Sequence, residues 1–292
     1  MIKIGIVGTG ILGEAVGLHL LNVGYEVTVF NRTKNKTEKL EVKGAKVADS
    51  PKQVAENSEL IITVVKDAEA VNDVIFGNSG IIFGKHEEMC IADMSTVNPN
   101  ATKEISQKVN SEGVDYIEIP VMGGPNLAID GKLLVMASGR EESFERYKSV
   151  LEKIGEQTFY LGNTGSAHSI KLAMNLQIAM VALSLSEGIT LTKNAGLDPE
   201  IFLKVLNSTG FKTTMSQNKA YKMIKDSYTA TFTLANLKKD LDTVNDTAVS
   251  ANTELPMAQL ARKIYSNAID EGFANIDYTG IIAYIKNLSK EN

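Results

Sequence analysis

Along the first half of the chain the apolar residues change period repeatedly. Short runs rich in β-branched and aliphatic residues, Lys3–Val7, Glu26–Phe30, Leu60–Val64, Met89–Asp93, Val114–Glu118, Leu133–Ala137 and Thr158–Tyr160, read as strands. Between them, Ile11–Asn22, Ala68–Ile75, Pro99–Asn110 and Glu142–Lys153 carry apolar residues at the spacing of a helix with one buried face. Pro99 suits the first turn of its helix, where a missing N–H is no loss. The alternation predicts repeated βαβ units: a doubly wound, mostly parallel α/β sheet.

Past Gly162-Asn163-Thr164-Gly165 the alternation stops and the pattern becomes helical throughout. A long helix is expected over Ser166 to Asn194, closed by Gly196 and followed at Asp198-Pro199 by a new helix start. Further helices are expected at about 199–207, 214–224, 234–251, 256–270 and 278–288. A chain of 292 residues is long enough for two cores, and the change of pattern divides it into an α/β domain over 1–162 and an all-α domain over 163–292, joined by the long helix.

Composition narrows the class. With 43% apolar and 22% charged residues the chain has the make-up of a globular protein rather than a disordered or fibrous one. A formal net charge of -5 and the lack of a dense Lys/Arg block point away from nucleic acid and anionic membrane as partners, and toward a small-molecule substrate. Cys90 is the single cysteine, inside a strand-like run, and reads as a buried structural thiol; a reducing cytoplasm is the expected location. The richest apolar stretch, Leu176 to Leu185, is interrupted by Gln177 and Ser184, short of the ~18 residues a membrane span needs, and no leader-like segment opens the sequence.

Gly8-Thr9-Gly10-Ile11-Leu12-Gly13 follows the first strand and opens the first helix, which is the context that gives G-x-G-x-x-G its meaning. The first glycine permits a tight turn, the second lets the backbone approach a pyrophosphate, and the third allows close packing of helix on strand. The phosphates then face unpaired N–H groups at a helix N-terminus. A Rossmann-type nicotinamide dinucleotide site is therefore expected. The second strand ends in Asn31-Arg32-Thr33, where a carboxylate would hold the ribose of NAD. Arg32 instead suits a 2′-phosphate, so NADP(H) is favoured over NAD(H).

Ligands of open α/β sheets sit beyond the carboxyl ends of the strands. Asp93-Met94-Ser95-Thr96-Val97-Asn98-Pro99 presents two hydroxyls there, as helix caps or as ligand groups. Ile119-Pro120-Val121-Met122-Gly123-Gly124-Pro125 is a simple turn or a source of backbone N–H groups for a carboxylate. Lys171 and Asn175, four apart, share one face of the long helix, which by itself is ordinary for solvated residues. Lys238-Lys239-Asp240, after Phe232-Thr233-Leu234, reads as a polar helix face. His19, His86 and His168 have no metal-like spacing, no metal site is expected, and His168 reads as a cap or packing residue.

Taken together these segments resemble the β-hydroxyacid dehydrogenase family, which includes 3-hydroxyisobutyrate dehydrogenases and glyoxylate/succinic semialdehyde reductases. The resemblance spans essentially the whole chain. Gly8 to Gly13 match the cofactor loop; Asp93 to Pro99 resemble D-x-S-T-x-x-P; Pro120-Val121-Met122-Gly123-Gly124 resembles P-V-S-G-G; Gly162 through Lys171 and Asn175 resembles G-x-x-G…K-x-x-N-N; and Lys239-Asp240 matches a K-D pair. It implies that Lys171 is catalytic, that Asn175 holds the substrate, and that Ser95, Gly123 and Gly124 receive its carboxylate. Thr96, Lys239 and the turn at Val65 and Lys66 are implied to contact the cofactor, Phe232 to cover the nicotinamide, and the long helix to build a homodimer or homotetramer.

Three residues depart from the family pattern: Met122 stands for serine, Met174 for the first of two asparagines, and Lys66 for proline. Met122 removes a hydroxyl and adds apolar bulk, which points to a larger or less polar substrate than hydroxyisobutyrate. The expected activity is reduction of a small carboxylate-bearing aldehyde by NADPH, with Lys171 as general acid. The rival readings are an NAD-dependent 3-hydroxyisobutyrate dehydrogenase and a dinucleotide-binding module without catalysis. A phosphosugar dehydrogenase shares the layout but requires a longer chain and a basic phosphate pocket.

Overall fold

The structure, a computed structural model, describes residues 2–288. Its compact units are Met1–Lys171 and Leu172–Asn292, so the division falls within the long helix rather than in the glycine-rich turn before it.

In the first unit nine strands form one sheet: β1 (Ile4–Val7), β2 (Val27–Phe30), β3 (Lys46–Val47), β4 (Leu60–Thr63), β5 (Cys90–Asp93), β6 (Asp115–Glu118), β7 (Val121–Met122), β8 (Leu133–Gly139) and β9 (Gly155–Tyr160). The order is β3-β2-β1-β4-β5-β6-β8-β7, with β9 beside β8. From β3 to β6 every pairing is parallel; β8 runs antiparallel to β6 and β7 and parallel to β9. The mostly parallel sheet read from the sequence is thus present, with β3 and β7 added. Two residues are too few to show a period of two, which is why these strands left no signal.

Alternate residues of the central strands feed two cores. Ile4, Ile6, Leu60, Ile62, Cys90 and Ala92 pack on one face with Val16 and Leu20 of helix Ile11–Asn22 and Tyr147 and Leu151 of helix Glu141–Ile154. Val7, Ile61 and Ile91 pack on the other with Val54, Val71, Ile75, Ile105 and Val109 from helices Pro51–Glu56, Ala68–Phe76 and Pro99–Ser111. Strands buried on both faces must be apolar at every position, and Leu60–Thr63 is an example. Cys90 is fully buried and burial pushes its thiol well up, so it is a structural thiol.

The second unit is helical. It holds the remainder of helix Ser166–Asn194 and then Pro199–Asn207, Thr214–Asn218, Ala220–Ile224, Leu234–Ser250, Pro256–Ala268 and Ile281–Leu288. Two expected helices come out divided: 214–224 breaks at Lys219, and 278–288 starts with a 3₁₀ turn, Tyr278–Gly280. Helix Ser166–Asn194 is long and apolar enough, by length and composition, to cross a membrane, which corrects the expectation that no segment approaches that limit. Hydropathy over a longer window tolerates single polar residues such as Gln177 and Ser184. Ala179, Ala182, Leu183, Leu185 and Ile189 of this helix lie in the cores of the helical unit, which accounts for its apolarity.

Candidate functional site

The glycine loop joins β1 to helix Ile11–Asn22, and each glycine has its own reason. Gly8 has φ +103°, and a Cβ there would strike the Val64 carbonyl. A Cβ on Gly13 would strike the Gly8 carbonyl, so helix and strand approach as closely as glycine allows. A Cβ on Gly10 would meet nothing within 4 Å, so its backbone faces open space. Gly10 is also the N-cap and supplies no side-chain cap, leaving first-turn amides for an anion. The Thr9 hydroxyl is buried without a hydrogen-bond partner among the described residues, Ile11 is exposed and Leu12 is half-buried. An open approach, uncapped amides and an unpaired buried hydroxyl fit a dinucleotide's phosphates.

Asn31 ties this loop to the end of β2. Its Oδ1 accepts from the Thr9 amide at 3.1 Å, and its Nδ2 donates to the Thr33 carbonyl at 3.0 Å. Arg32 and Thr33 beside it are exposed, and among the described residues no carboxylate pairs with the guanidinium. Beyond β4, the Val65 amide donates to Ser95 Oγ at 3.0 Å, joining the ends of β4 and β5; Lys66 is 74% exposed, with Asp67 3.9 Å from its ammonium. Thr96 is half-buried.

Below Ser95 lies a buried polar cluster. Asp93 Oδ1 accepts from Thr63 Oγ1 (2.7 Å) and the Ser95 amide (3.1 Å), and Oδ2 accepts from the Tyr116 hydroxyl (3.2 Å). On β6, Glu118 is fully buried and accepts from Ser138 Oγ at 2.7 Å, from the Gly165 amide and, at 3.2 Å, from the His168 amide. The last two are N–H groups at the start of helix Ser166–Asn194, so a carboxylate meets the positive end of the helix dipole. His168 is also fully buried; Nε2 donates to the Ser95 carbonyl at 3.0 Å, and Nδ1 lies 3.2 Å from Glu118 Oε2, an ion-pair distance without hydrogen-bond alignment.

Burial pushes Glu118 up, but the close approach and charge of the His168 ring, with Ser138 and the Gly165 amide, outweigh it and hold the carboxyl below the ordinary range. For His168 burial acts downward and is outweighed by Glu118, then Asp93 and the Ser95 carbonyl, which raise it. Each shift favours the charged form of its group, imidazolium for His168 and carboxylate for Glu118. His168 is thus a packing residue near the helix start, while the carboxylate of Glu118, not the imidazole, accepts the first helical amides. Glu118 gave no sequence signal beyond its position at a strand end.

Lys171 follows one helical turn after His168. Its ammonium donates to the Val121 carbonyl at 2.8 Å and lies 3.4 Å from Met122 Sδ. Gly123, next in the chain, has φ +125°, and a Cβ there would meet Leu133 at 2.7 Å; a Cβ on Gly124 would meet nothing within 4 Å. The first unit therefore brings Lys171, Met122 and Gly123 together and links Ser95, through His168, to the helix that carries Lys171.

In the helical unit, Asn175 and Asp240 are buried, with Asn175 Nδ2 donating to Asp240 Oδ2 at 2.6 Å. Lys239 Nζ lies 2.7 Å from Asp240 Oδ1. Phe232 packs edge-on against Tyr278 with ring centroids 6.0 Å apart. Asp240, read only as one member of a Lys-Asp pair, is the group that joins Asn175 to Lys239. Met174 is 40% exposed. Among the described residues no cluster of His, Cys, Asp and Glu is suited to a metal.

Residues 3–162 match the family model of the NAD binding domain of 6-phosphogluconate dehydrogenase, and residues 165–285 match that of the NAD-binding region of NADP-dependent 3-hydroxyisobutyrate dehydrogenase. The chain is 32% identical, over 98% of its length and 80% of the relative's, to glyoxylate/succinic semialdehyde reductase 2 of Arabidopsis thaliana. It is 30% identical to reductase 1 of the same plant, over 97% of this chain and 98% of the relative. In fold it is similar to a crystal structure of 3-hydroxyisobutyrate dehydrogenase from Salmonella typhimurium, with TM-score 0.89 and 24% identity over 97% of this chain and 100% of that one.

Proposed function

This chain belongs to the β-hydroxyacid dehydrogenase family, and from that premise we propose that it is an NADP(H)-dependent reductase of a small carboxylate-bearing aldehyde. The substrate class is a semialdehyde or a glyoxylate-like compound, and the product is the hydroxyacid. The observation that carries this reading is the Lys171 ammonium, 2.8 Å from the Val121 carbonyl, at the entrance to the Gly123–Gly124 turn. The two Arabidopsis relatives, named as glyoxylate/succinic semialdehyde reductases, support the substrate class. Arg32, exposed and without a carboxylate partner among the described residues, supports NADP(H) over NAD(H).

Gly8 to Gly13 would hold the pyrophosphate and Asn31, Arg32 and Thr33 the ribose end, with Val65, Lys66 and Thr96 along the cofactor. NADPH held by these residues would supply the hydride for the aldehyde carbon. Lys171 gives its proton to the carbonyl oxygen, and its positive charge stabilises that oxygen as electron density moves onto it. Ser95 and the amides of Gly123 and Gly124 receive the carboxylate, and Met122 supplies an apolar wall. For Asn175, Phe232 and Lys239 we propose the roles that family membership implies. The test is NADPH consumption with glyoxylate, succinic semialdehyde and methylmalonate semialdehyde, repeated with NADH. Turnover of at least one aldehyde, faster with NADPH, is expected. No turnover of any would favour a non-catalytic binding module, and faster turnover with NADH would overturn the cofactor assignment.

A further inference from the structure

The Glu118–His168 pair ties β6, the Ser95 carbonyl and the start of the long helix together, and stability alone is a poor reason for it. Burying two opposite charges costs desolvation that their attraction barely repays, and apolar residues of similar volume commonly serve as well or better. What distinguishes the pair is its connections. Glu118 accepts from the Gly165 and His168 amides, and three residues along the same segment the Val121 carbonyl accepts from Lys171. The first turns of the helix are therefore held on residues 118–121 at two points. The imidazole adds a third attachment at the Ser95 carbonyl, 3.0 Å from Nε2, while the Ser95 hydroxyl accepts from Val65. Ser138 braces the arrangement, donating to Glu118 and accepting from the Ala167 amide at 3.1 Å.

We infer that the buried Glu118–His168 pair is the positioning device of the active site, fixing the Lys171 ammonium and the Ser95 turn relative to each other. The inference rests on Lys171 being the proton donor of the proposed reaction. These links suit the task because the bonds from the Gly165 and His168 amides to Glu118 and from Nε2 to the Ser95 carbonyl are directional, whereas an apolar contact would let the helix slide by fractions of an ångström. The groups facing His168 are Glu118 from β6 and Asp93, 3.9 Å away, from β5, with the Tyr116 and Thr63 hydroxyls on Asp93. Nε2 donates to the Ser95 carbonyl, and Nδ1 faces the Glu118 carboxylate at 3.2 Å.

Two variants test this in the full-length protein. Glu118→Asp keeps the charge and the ion pair but withdraws the carboxylate by one methylene; His168→Gln keeps a donor for Ser95 and removes the charge. Each is assayed for NADPH affinity, for kcat per NADPH-binding site, and for KM of whichever aldehyde the wild type reduces. Positioning predicts unchanged NADPH affinity and a kcat lower by on the order of 10- to 100-fold in both. A purely structural role would lower melting temperature and the fraction of binding-competent protein but leave kcat per site unchanged, and that result would overturn the inference. If Lys171→Ala retained full turnover, the underlying reading would fail instead. Full turnover in Glu118→Asp and His168→Gln beside an inactive Lys171→Ala would reject the positioning role alone.

Discussion

Gly10 and Gly13 show how one residue type answers two different demands. At Gly13 a methyl group would collide with the Gly8 carbonyl, so the constraint lies in the folded chain itself. At Gly10 the same methyl group would meet nothing within 4 Å, so any constraint comes from a ligand approaching from outside. Gly13→Ala should therefore destabilise the protein by about 1–3 kcal/mol through overpacking. Gly10→Ala should leave thermal stability intact and weaken NADPH binding. Thermal melts paired with NADPH titrations check both; a Gly10→Ala variant with normal NADPH affinity would remove the loop from the cofactor site. Met122 stands where the P-V-S-G-G motif of the resemblance has serine. Its thioether lies beside the Lys171 ammonium, where a serine would have presented a hydroxyl.

At the scale of elements, what could be read from sequence was whatever repeats locally. Helices Ile11–Asn22 and Ser166–Asn194 have the bounds their patterns predict, because the flanking glycine turns and the apolar spacing that mark them are written within one segment. Strands β3 and β7, at two residues each, were not legible, nor was the short helix Pro125–Ile129. The glycine loop, Ser95, Met122, Gly123 and Lys171 could be named in advance because they sit in ordered motifs. Glu118 and His168, 50 residues apart, could not be paired, since only the crossing of β6 with the start of the long helix brings them together. The pair also sets an expectation for stability against pH. The raised value of His168 makes its contribution complete below its ordinary value of 6.5 and progressively lost as pH rises through the folded-state value. The lowered value of Glu118 makes its contribution complete above 4.5 and lost as pH falls through the folded-state value. The stability gap between wild type and Glu118→Gln/His168→Gln should thus be widest between those two values and narrow on either side. Chemical denaturation across pH reads this gap, and a gap that did not vary with pH would contradict the charged pair.

For the whole molecule, a doubly wound sheet with its glycine loop and Lys171 turn and a separate helical unit with the Asn175–Asp240–Lys239 group make up one chain of a family of nicotinamide-dependent enzymes. The net charge of -5 sets no strong positive field, so in the proposed reaction recognition of the carboxylate would fall to a few placed donors: Lys171, Ser95 and the amides of Gly123 and Gly124. The central claim is that Lys171 performs the proton transfer in a reduction driven by NADPH. Its most direct test is the turnover of Lys171→Ala on an aldehyde the wild type reduces, measured together with NADPH affinity. The account predicts kcat lower by on the order of 100- to 10,000-fold with NADPH affinity unchanged. Near-normal turnover in that variant would contradict it.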